Sequence, residues 1–180
     1  MSSELNDALR TVKYGPYRAT VAERAKKAAA STFKARSSTR TYDQIYEDFV
    51  NGFALEEAVL DILQDLGAST NAFSVRASGV YAYDIIVEPR DGTPILIDIK
   101  GLFGRFGSKG DWITMSKYEH TNAPANTLYV AFEDLKGLGT AKYIGWCNKS
   151  AMQKSKHNDG YYTGRASMTT SPFMDIESDE

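Results

Sequence analysis

A helical repeat of apolar residues between residues 44 and 66 is the clearest pattern in the chain. Its apolar positions are spaced as one face of a helix requires, and they are Leu55, Val59, Ile62, Leu63 and Leu66. Asp43 is a suitable N-cap, Gly67 a suitable end, and Gly52 is expected to break the segment into two helices. An Ala-rich segment over residues 17–36 predicts another helix before it.

Five apolar runs of strand length follow, separated by Gly-, Pro- and Asp-containing turns. They cover residues 72–78, 81–88, 94–103, 127–135 and 141–148. Residues 108–123 indicate a loop and a short helix, and 149–173 are polar and irregular. The order αβββαββ predicts an α/β (α+β) fold, with a central mixed β-sheet flanked by helices in three layers.

Composition and charge describe a globular chain with an uneven charge distribution. The 180 residues are 42% hydrophobic, with a net charge of −2. Residues 1–41 hold nine Lys or Arg against three acids, whereas residues 42–100 hold three against eleven. Residues 101–170 again hold more basic residues, nine Lys or Arg against five acids, and the tail is acidic. Basic flanks around an acidic centre suit a phosphate backbone and a metal, although solvated faces would give the same pattern.

The charge pattern and the helix positions suggest three parts of the chain. Residues 1–41 form a basic N-terminal helical arm, 42–150 the core, and 151–180 a polar C-terminal segment with an acidic tail. No apolar run is long enough for a membrane span, and no secretory signal is visible, so we expect a cytoplasmic protein. The single cysteine, Cys147, suits a reducing compartment, and Trp112 and Trp146 are expected in the core.

Two of the apolar runs carry acidic residues in an unusual place. Along residues 95–100, Asp98 and Lys100 share one face of the strand, about 6–7 Å apart. If the turn at residues 89–94 makes a hairpin, Asp84 lies beside Asp98. Adjacent carboxylates repel unless a positive group such as Mg²⁺ lies between them, and Lys100 could orient or deprotonate an attacking water. A hairpin whose charged residues simply face water is the alternative.

Glu56 lies at the edge of the apolar stripe of the long helix. A helix that packs on the sheet through this stripe would carry Glu56 toward Asp84 and Asp98. The alternative is an ordinary glutamate at the edge of a helix. Glu57 falls on the far side.

The stretches GFALEEAVLDILQDLG, FSVRASGVYAYD and ILIDIKG, within residues 52–101, together resemble the PD-(D/E)xK nuclease superfamily. Their order gives Gly-x(3)-Glu on a helix, Asp at the start of a hairpin, and Asp-x-Lys on the next strand. The resemblance implies a restriction-endonuclease-like αβββαβ core with an N-terminal helical extension. One departure is Tyr83, which stands where the name-giving proline would be.

The roles implied by the resemblance make Glu56, Asp84, Asp98 and Lys100 catalytic. Asp84, Asp98 and the backbone carbonyl of Ile99 would bind Mg²⁺, for which Mn²⁺ would substitute. Glu56 would bind the metal through water or serve a second metal, and Lys100 would position or activate the nucleophilic water. The implied activity is a Mg²⁺-dependent deoxyribonuclease, an endonuclease that hydrolyses DNA phosphodiester bonds.

The segment VRASG, residues 75–79, is similar to one in archaeal Holliday-junction resolvases and in phage endonucleases. This likeness implies that Arg76 and Ser78 lie near the scissile phosphate. The small size and the basic N-terminal arm also suit a junction resolvase or a phage endonuclease, and such enzymes imply a homodimer that acts on junction or branched DNA. Arg105 and Lys109, in the glycine-rich loop after Lys100, are further candidates for DNA contact.

Other functions have less support in the sequence. It contains no phosphate-binding G-x-x-x-x-G-K-[ST] loop, no dinucleotide motif and no zinc or serine-hydrolase signature. A catalytically inactive relative that binds DNA or a protein partner is the main alternative, and the intact set of acids and lysine argues against it.

Overall fold

The computed structural model describes residues 7–35, 39–80, 83–102, 112–134, 139–157 and 159–167. Its main helices are α1 (Ala19–Ala35), α2 (Tyr42–Thr70) and α3 (Lys117–Asn122). The strands in the first half of the chain are β1 (Thr11–Lys13), β2 (Phe73–Ala77), β3 (Ile85–Pro89) and β4 (Ile95–Leu102). Those in the second half are β5 (Trp112–Ser116), β6 (Thr127–Asp134), β7 (Thr140–Asn148), β8 (Gln153–Lys154) and β9 (Tyr161–Arg165). A 3₁₀ turn, Lys149–Ala151, follows β7.

Six strands form the main sheet, in the order β1-β7-β6-β4-β3-β2. Strands β4 and β6 are parallel, and the other neighbours are antiparallel. The parallel pair arises because α3 lies on the connection between its strands, as parallel pairing requires a crossover. The predicted mixed sheet flanked by helices is confirmed.

The main core lies between α2 and the sheet. Leu55, Val59 and Leu63 of α2 are at most 1% exposed and pack on Ile97 and Ile99 of β4. The apolar stripe predicted from the sequence is therefore the buried face of this helix. On β4 the alternate residues, including Asp98, point to the opposite face of the sheet.

The ends of α2 differ from the expectation. It is one continuous helix of 29 residues, so Gly52 does not divide it, and it continues past Gly67. Its N-cap is Thr41 rather than Asp43, because the Thr41 side chain accepts the backbone N–H of Gln44 in a capping box. Asn71 ends the helix in the left-handed conformation, with φ 55°.

A second, three-stranded sheet in the order β5-β9-β8 covers regions that were expected to be loop or irregular. Ile113 and Met115 of β5 are buried in a second core cluster, which rests on the opposite face of the main sheet from α2. The expectation that Trp112 is a core residue is wrong, because its side chain is 44% exposed. Trp146 is partly buried against the main core, as expected.

The basic N-terminal segment packs against the core over residues 11–35. Strand β1 pairs with β7, and Val21, Ala25 and Ala29 of α1 are buried against α2. The boundaries proposed at residues 41 and 150 stay predictions. Within the described ranges, no helix has both the length and the apolar character needed to cross a bilayer.

Candidate functional site

The predicted acidic residues meet where β3 begins beside the middle of β4. Ile85 pairs with Ile97, so Asp84 lies beside Asp98, and Asp98 in turn pairs with Tyr129 of β6. The hairpin register expected from the sequence is confirmed. Asp98 lies on the face of β4 opposite Ile97 and Ile99, whereas Asp84 stands just before β3 begins, where the pairing does not assign its side chain to either face.

Asp84 is held in place by backbone contacts to its strand neighbours. Its Oδ2 accepts the backbone N–H of Ile99 at 2.7 Å, and its own N–H donates to Ile97 O at 2.8 Å. Its carbonyl accepts the N–H of Ser78 at 2.9 Å. One strand residue directs its N–H and C=O to the same neighbouring strand, so the Ile99 carbonyl also faces the Asp84 side.

Asp98 and Lys100 form a close ion pair on β4. The Nζ of Lys100 lies 3.0 Å from Oδ1 of Asp98 and 3.8 Å from Oε1 of Glu119 on α3. The Glu119 carboxylate also completes the capping box of α3, in which its Oε2 accepts the backbone N–H of Ser116. Glu119 therefore links the start of α3 to the lysine of the site.

Glu56 reaches the same region from α2, paired with a cation of α1. Nη1 of Arg24 lies 3.1 Å from Oε2 of Glu56, and the guanidinium lies 3.7 Å over the ring of Phe53. Glu57 faces away from the acidic cluster and pairs with Arg18 at 3.9 Å. The structure thus brings together Glu56, Asp84, Asp98 and Lys100.

Burial and mutual repulsion govern the protonation of the acids. Burial raises the pKa of Glu56 to about 7, against the opposing charge of Arg24. The pKa of Asp84 is raised well above its usual range, by burial first and then by the charges of Glu56 and Asp98. Burial also raises the pKa of Asp98, although Lys100 opposes this shift. Burial and the neighbouring carboxylates together therefore disfavour full ionisation of the cluster.

Lys100 is a stable cation in this setting. Burial alone would lower its pKa, but the carboxylates of Asp98, Glu119 and Asp84 raise it above the ordinary value. A protonated ammonium donates hydrogen bonds and cannot take a proton. Of the two roles considered for Lys100, the structure favours orienting a water over deprotonating it.

The oxygen atoms of the acidic cluster are of the kind that a hard divalent cation binds, but not all of its side chains are placed to bind one. In the described residues, no group of three or more His, Cys, Asp or Glu side chains is arranged to hold a metal ion. Arg24 and Lys100 each engage one of the acids instead. Mg²⁺ needs only one or two carboxylates, with waters and phosphates completing the shell. Asp84, Asp98 and the Ile99 carbonyl supply such a set of oxygens, and a cation there would offset the burial and the mutual repulsion that raise the acid pKa values.

Two of the four residues predicted to contact DNA, Arg76 and Ser78, lie within the described residues. Ser78 lies opposite Asp84; its hydroxyl donates to the carbonyl of Tyr83 and accepts the backbone N–H of Val80 at 3.2 Å. Arg76 lies on the same face, and its Nε is 3.6 Å from Glu88. Arg105 and Lys109 fall outside the described residues.

Sequence reasoning missed three residues around the cluster. Ser116-x-x-Glu119 is a readable capping box, but its contact with Lys100 depends on tertiary packing. Arg24 was noted only as one of many charges in a basic segment. Tyr129 is fully buried, and among the described residues its hydroxyl finds no hydrogen-bond partner. Its pKa is raised to about 12, by burial first and then by the charge of Asp98.

Comparison with known proteins gives little. No protein-family model matches the chain, and no curated protein is similar to it. Among solved structures, the chain is similar to a Holliday junction resolvase from Archaeoglobus fulgidus, an archaeal hyperthermophile. The identity is 12%, the match covers 57% of this chain and 80% of that chain, and the TM-score is 0.33. A likeness at this TM-score carries no argument about fold or function.

Proposed function

We propose that the protein is a metal-dependent endonuclease of the PD-(D/E)xK type, which hydrolyses phosphodiester bonds in DNA. The observation that carries the proposal is the placement of Asp84 beside Asp98, with the ammonium of Lys100 3.0 Å from Asp98. Adjacent carboxylates that can hold a divalent cation, with a protonated lysine beside them, are groups that metal-assisted hydrolysis of a phosphate ester can use.

Each residue of the cluster has a role in this proposal. Asp84, Asp98 and the Ile99 carbonyl hold Mg²⁺, or Mn²⁺ in its place, and Glu56 binds the same ion through water or serves a second one. When bound, the cation polarises the phosphate and stabilises the charge that develops in the transition state. Lys100 donates hydrogen bonds that orient the attacking water, and Glu119 fixes the position of Lys100.

The basic residues outside the cluster suit a phosphate backbone. The first 41 residues carry nine Lys or Arg, and α1 brings Arg24 directly to Glu56. We further propose that the substrate is junction or branched DNA and that the enzyme acts as a homodimer, since two strands must then be cut.

A DNA- or protein-binding module without catalysis is the second candidate. It is favoured by the Arg24–Glu56 ion pair, which occupies the third acid of the cluster. In that case no divalent cation would bind between Asp84 and Asp98, and the lysine would serve only to neutralise them.

Cleavage of a substrate panel separates the two candidates. Supercoiled plasmid, linear duplex, single strand, flap and four-way junction are each incubated with Mg²⁺, Mn²⁺, Ca²⁺ or EDTA. We expect cutting with Mg²⁺ or Mn²⁺ only, loss of cutting in Asp98→Asn, and normal cutting in Glu57→Gln, whose carboxylate faces away from the cluster. If folded protein cuts none of the five substrates with either Mg²⁺ or Mn²⁺, the binding module is the better account.

A further inference from the structure

The small sheet has an outer face on which two aromatic rings are exposed. Cross-strand pairing places Trp112 opposite Arg165 and Ser116 opposite Tyr161, so these four side chains share one face. Trp112 is 44% exposed and Tyr161 is 42% exposed. The inner face needs none of them, since it is already closed by buried residues such as Ile113. Two large aromatic residues on the solvent side of a short sheet indicate a binding surface.

The charge around this face points to a nucleic acid rather than to a protein. The three strands of the small sheet carry Lys154 and Arg165 and no acidic residue, and Arg165 lies on the outer face. The guanidinium carbon of Arg165 lies 5.7 Å from the ring centroid of Trp112, so a cation is fixed beside the indole. A second copy of this face would bring two Arg165 guanidinium groups together, which repel each other. Exposed aromatic rings on a positive surface are what single-stranded nucleic acids bind.

One end of the face adjoins the candidate catalytic centre. Ser116 ends β5 and begins α3, whose Glu119 is 3.8 Å from Lys100. The backbone N–H of Lys117 donates to Gly160 O at 2.8 Å, which fixes the Tyr161 strand against the same helix start. Trp112 lies four residues earlier on β5, about 13 Å further along the strand. The face therefore extends away from the candidate catalytic centre, with Tyr161 at its near end and Trp112 at its far end.

We propose that this face, composed of Trp112, Tyr161 and Arg165, binds an unpaired DNA segment that flanks the scissile phosphate. Bases stack on Tyr161 and Trp112, and Arg165 holds a phosphate beside Trp112. The inference rests on the proposed nuclease function and specifies its substrate class: DNA with a single-stranded portion, such as a flap or an opened junction, is preferred over continuous duplex.

Tryptophan fluorescence tests the binding without requiring cleavage. The chain has two tryptophans, so Trp146→Phe leaves Trp112 as the only indole. This variant, checked for folding by circular dichroism, is titrated in EDTA with an eight-nucleotide oligo(dT) and with a hairpin duplex. We expect saturable quenching by the single strand, and binding of the duplex at least about tenfold weaker.

Two further variants in this background assign the contact. Tyr161→Ala should weaken single-strand binding about tenfold, which is the effect of losing one base stack. Tyr17→Ala removes a similarly exposed ring, 50% accessible and remote from the small sheet, and should leave binding unchanged. Absent quenching, equal binding of the duplex, or an unaffected Tyr161→Ala variant would overturn the proposal. So would a change in Trp112 emission with protein concentration alone, which would make the face a contact between two copies.

Failure of this inference is distinguishable from failure of the nuclease function. If Trp112→Ala and Tyr161→Ala cut a flap as fast as the natural protein while Asp98→Asn does not cut, the proposed face is wrong and the nuclease stands. If the single strand quenches Trp112 as expected but no substrate is cut in Mg²⁺, the face stands and the nuclease function falls.

Discussion

Replacing Glu56 by Gln should stabilise the metal-free protein at neutral and alkaline pH. Burial raises the pKa of Glu56 to about 7 from the ordinary value of 4.5. An acid with a raised pKa binds its proton more tightly in the folded protein than in the unfolded chain. The free energy of unfolding therefore falls as the pH rises from about 4.5 to about 7, and the full cost is present above that window.

The size of the effect follows from the width of the window. One pKa unit corresponds to about 1.4 kcal/mol, so ionising Glu56 costs the folded state about 3 kcal/mol. Gln keeps the shape and carries no charge, and the attraction of the half-exposed Arg24 is already included in the raised pKa, because its charge opposes the effect of burial. The net gain of about 3 kcal/mol at pH 8 corresponds to a rise in Tm of about 9 °C for a chain of this size.

Thermal unfolding in EDTA at several pH values between 4 and 8.5 measures this gain. The difference in Tm between Glu56→Gln and the natural protein should grow through the window and vanish near pH 4. Glu57→Gln, one residue away but paired with Arg18 outside the cluster, is the control and should show no such growth. A Glu56→Gln protein that is no more stable at pH 8 than at pH 4, relative to the natural chain, would refute the reasoning.

Three more predictions concern the neighbours of Glu56. A divalent cation at 100 times its Kd should add about 2.7 kcal/mol to the free energy of unfolding at pH 8. Thermal unfolding with and without Mn²⁺ measures this gain, and Asp98→Asn should abolish it. Glu119→Gln keeps the helix cap but removes the negative charge beside Lys100, so cleavage should slow about tenfold at unchanged Tm. Ser116→Ala loses the cap instead and should lower the free energy of unfolding by about 1 kcal/mol. Tyr129→Phe removes a buried hydroxyl that has no partner among the described residues, and denaturant unfolding should show a gain of about 1 kcal/mol, whereas a loss would mean that the hydroxyl is satisfied.

The parts of the fold that the sequence predicted well are those with local signals. Helix α2 has a long apolar repeat, and β3 and β4 are joined by a short turn that fixes their register. The register alone sets Asp84 beside Asp98, so the centre of the candidate site could be read from the chain. Gly52 was misread because a glycine costs a helix only about 1 kcal/mol, which the buried face of α2 outweighs.

The missed features depend on contacts between distant segments. Strand β5 pairs with β9, which lies more than forty residues later, and each is too short and too polar on its outer side to be recognised alone. The exposed position of Trp112 follows from that pairing. The contacts of Arg24 with Glu56 and of Glu119 with Lys100 likewise join elements whose packing no local pattern specifies.

Nicking of supercoiled plasmid by Lys100→Met tests the central claim most directly. Met fills a similar volume without the ammonium, and the Asp84 and Asp98 carboxylates remain. With Mg²⁺ present, we expect the natural protein to nick the plasmid and Lys100→Met to nick it at least about 100-fold more slowly, while both bind the DNA. Nicking by Lys100→Met at the natural rate, or nicking by the natural protein that persists in EDTA, would contradict a metal-dependent centre built on Asp84, Asp98 and Lys100.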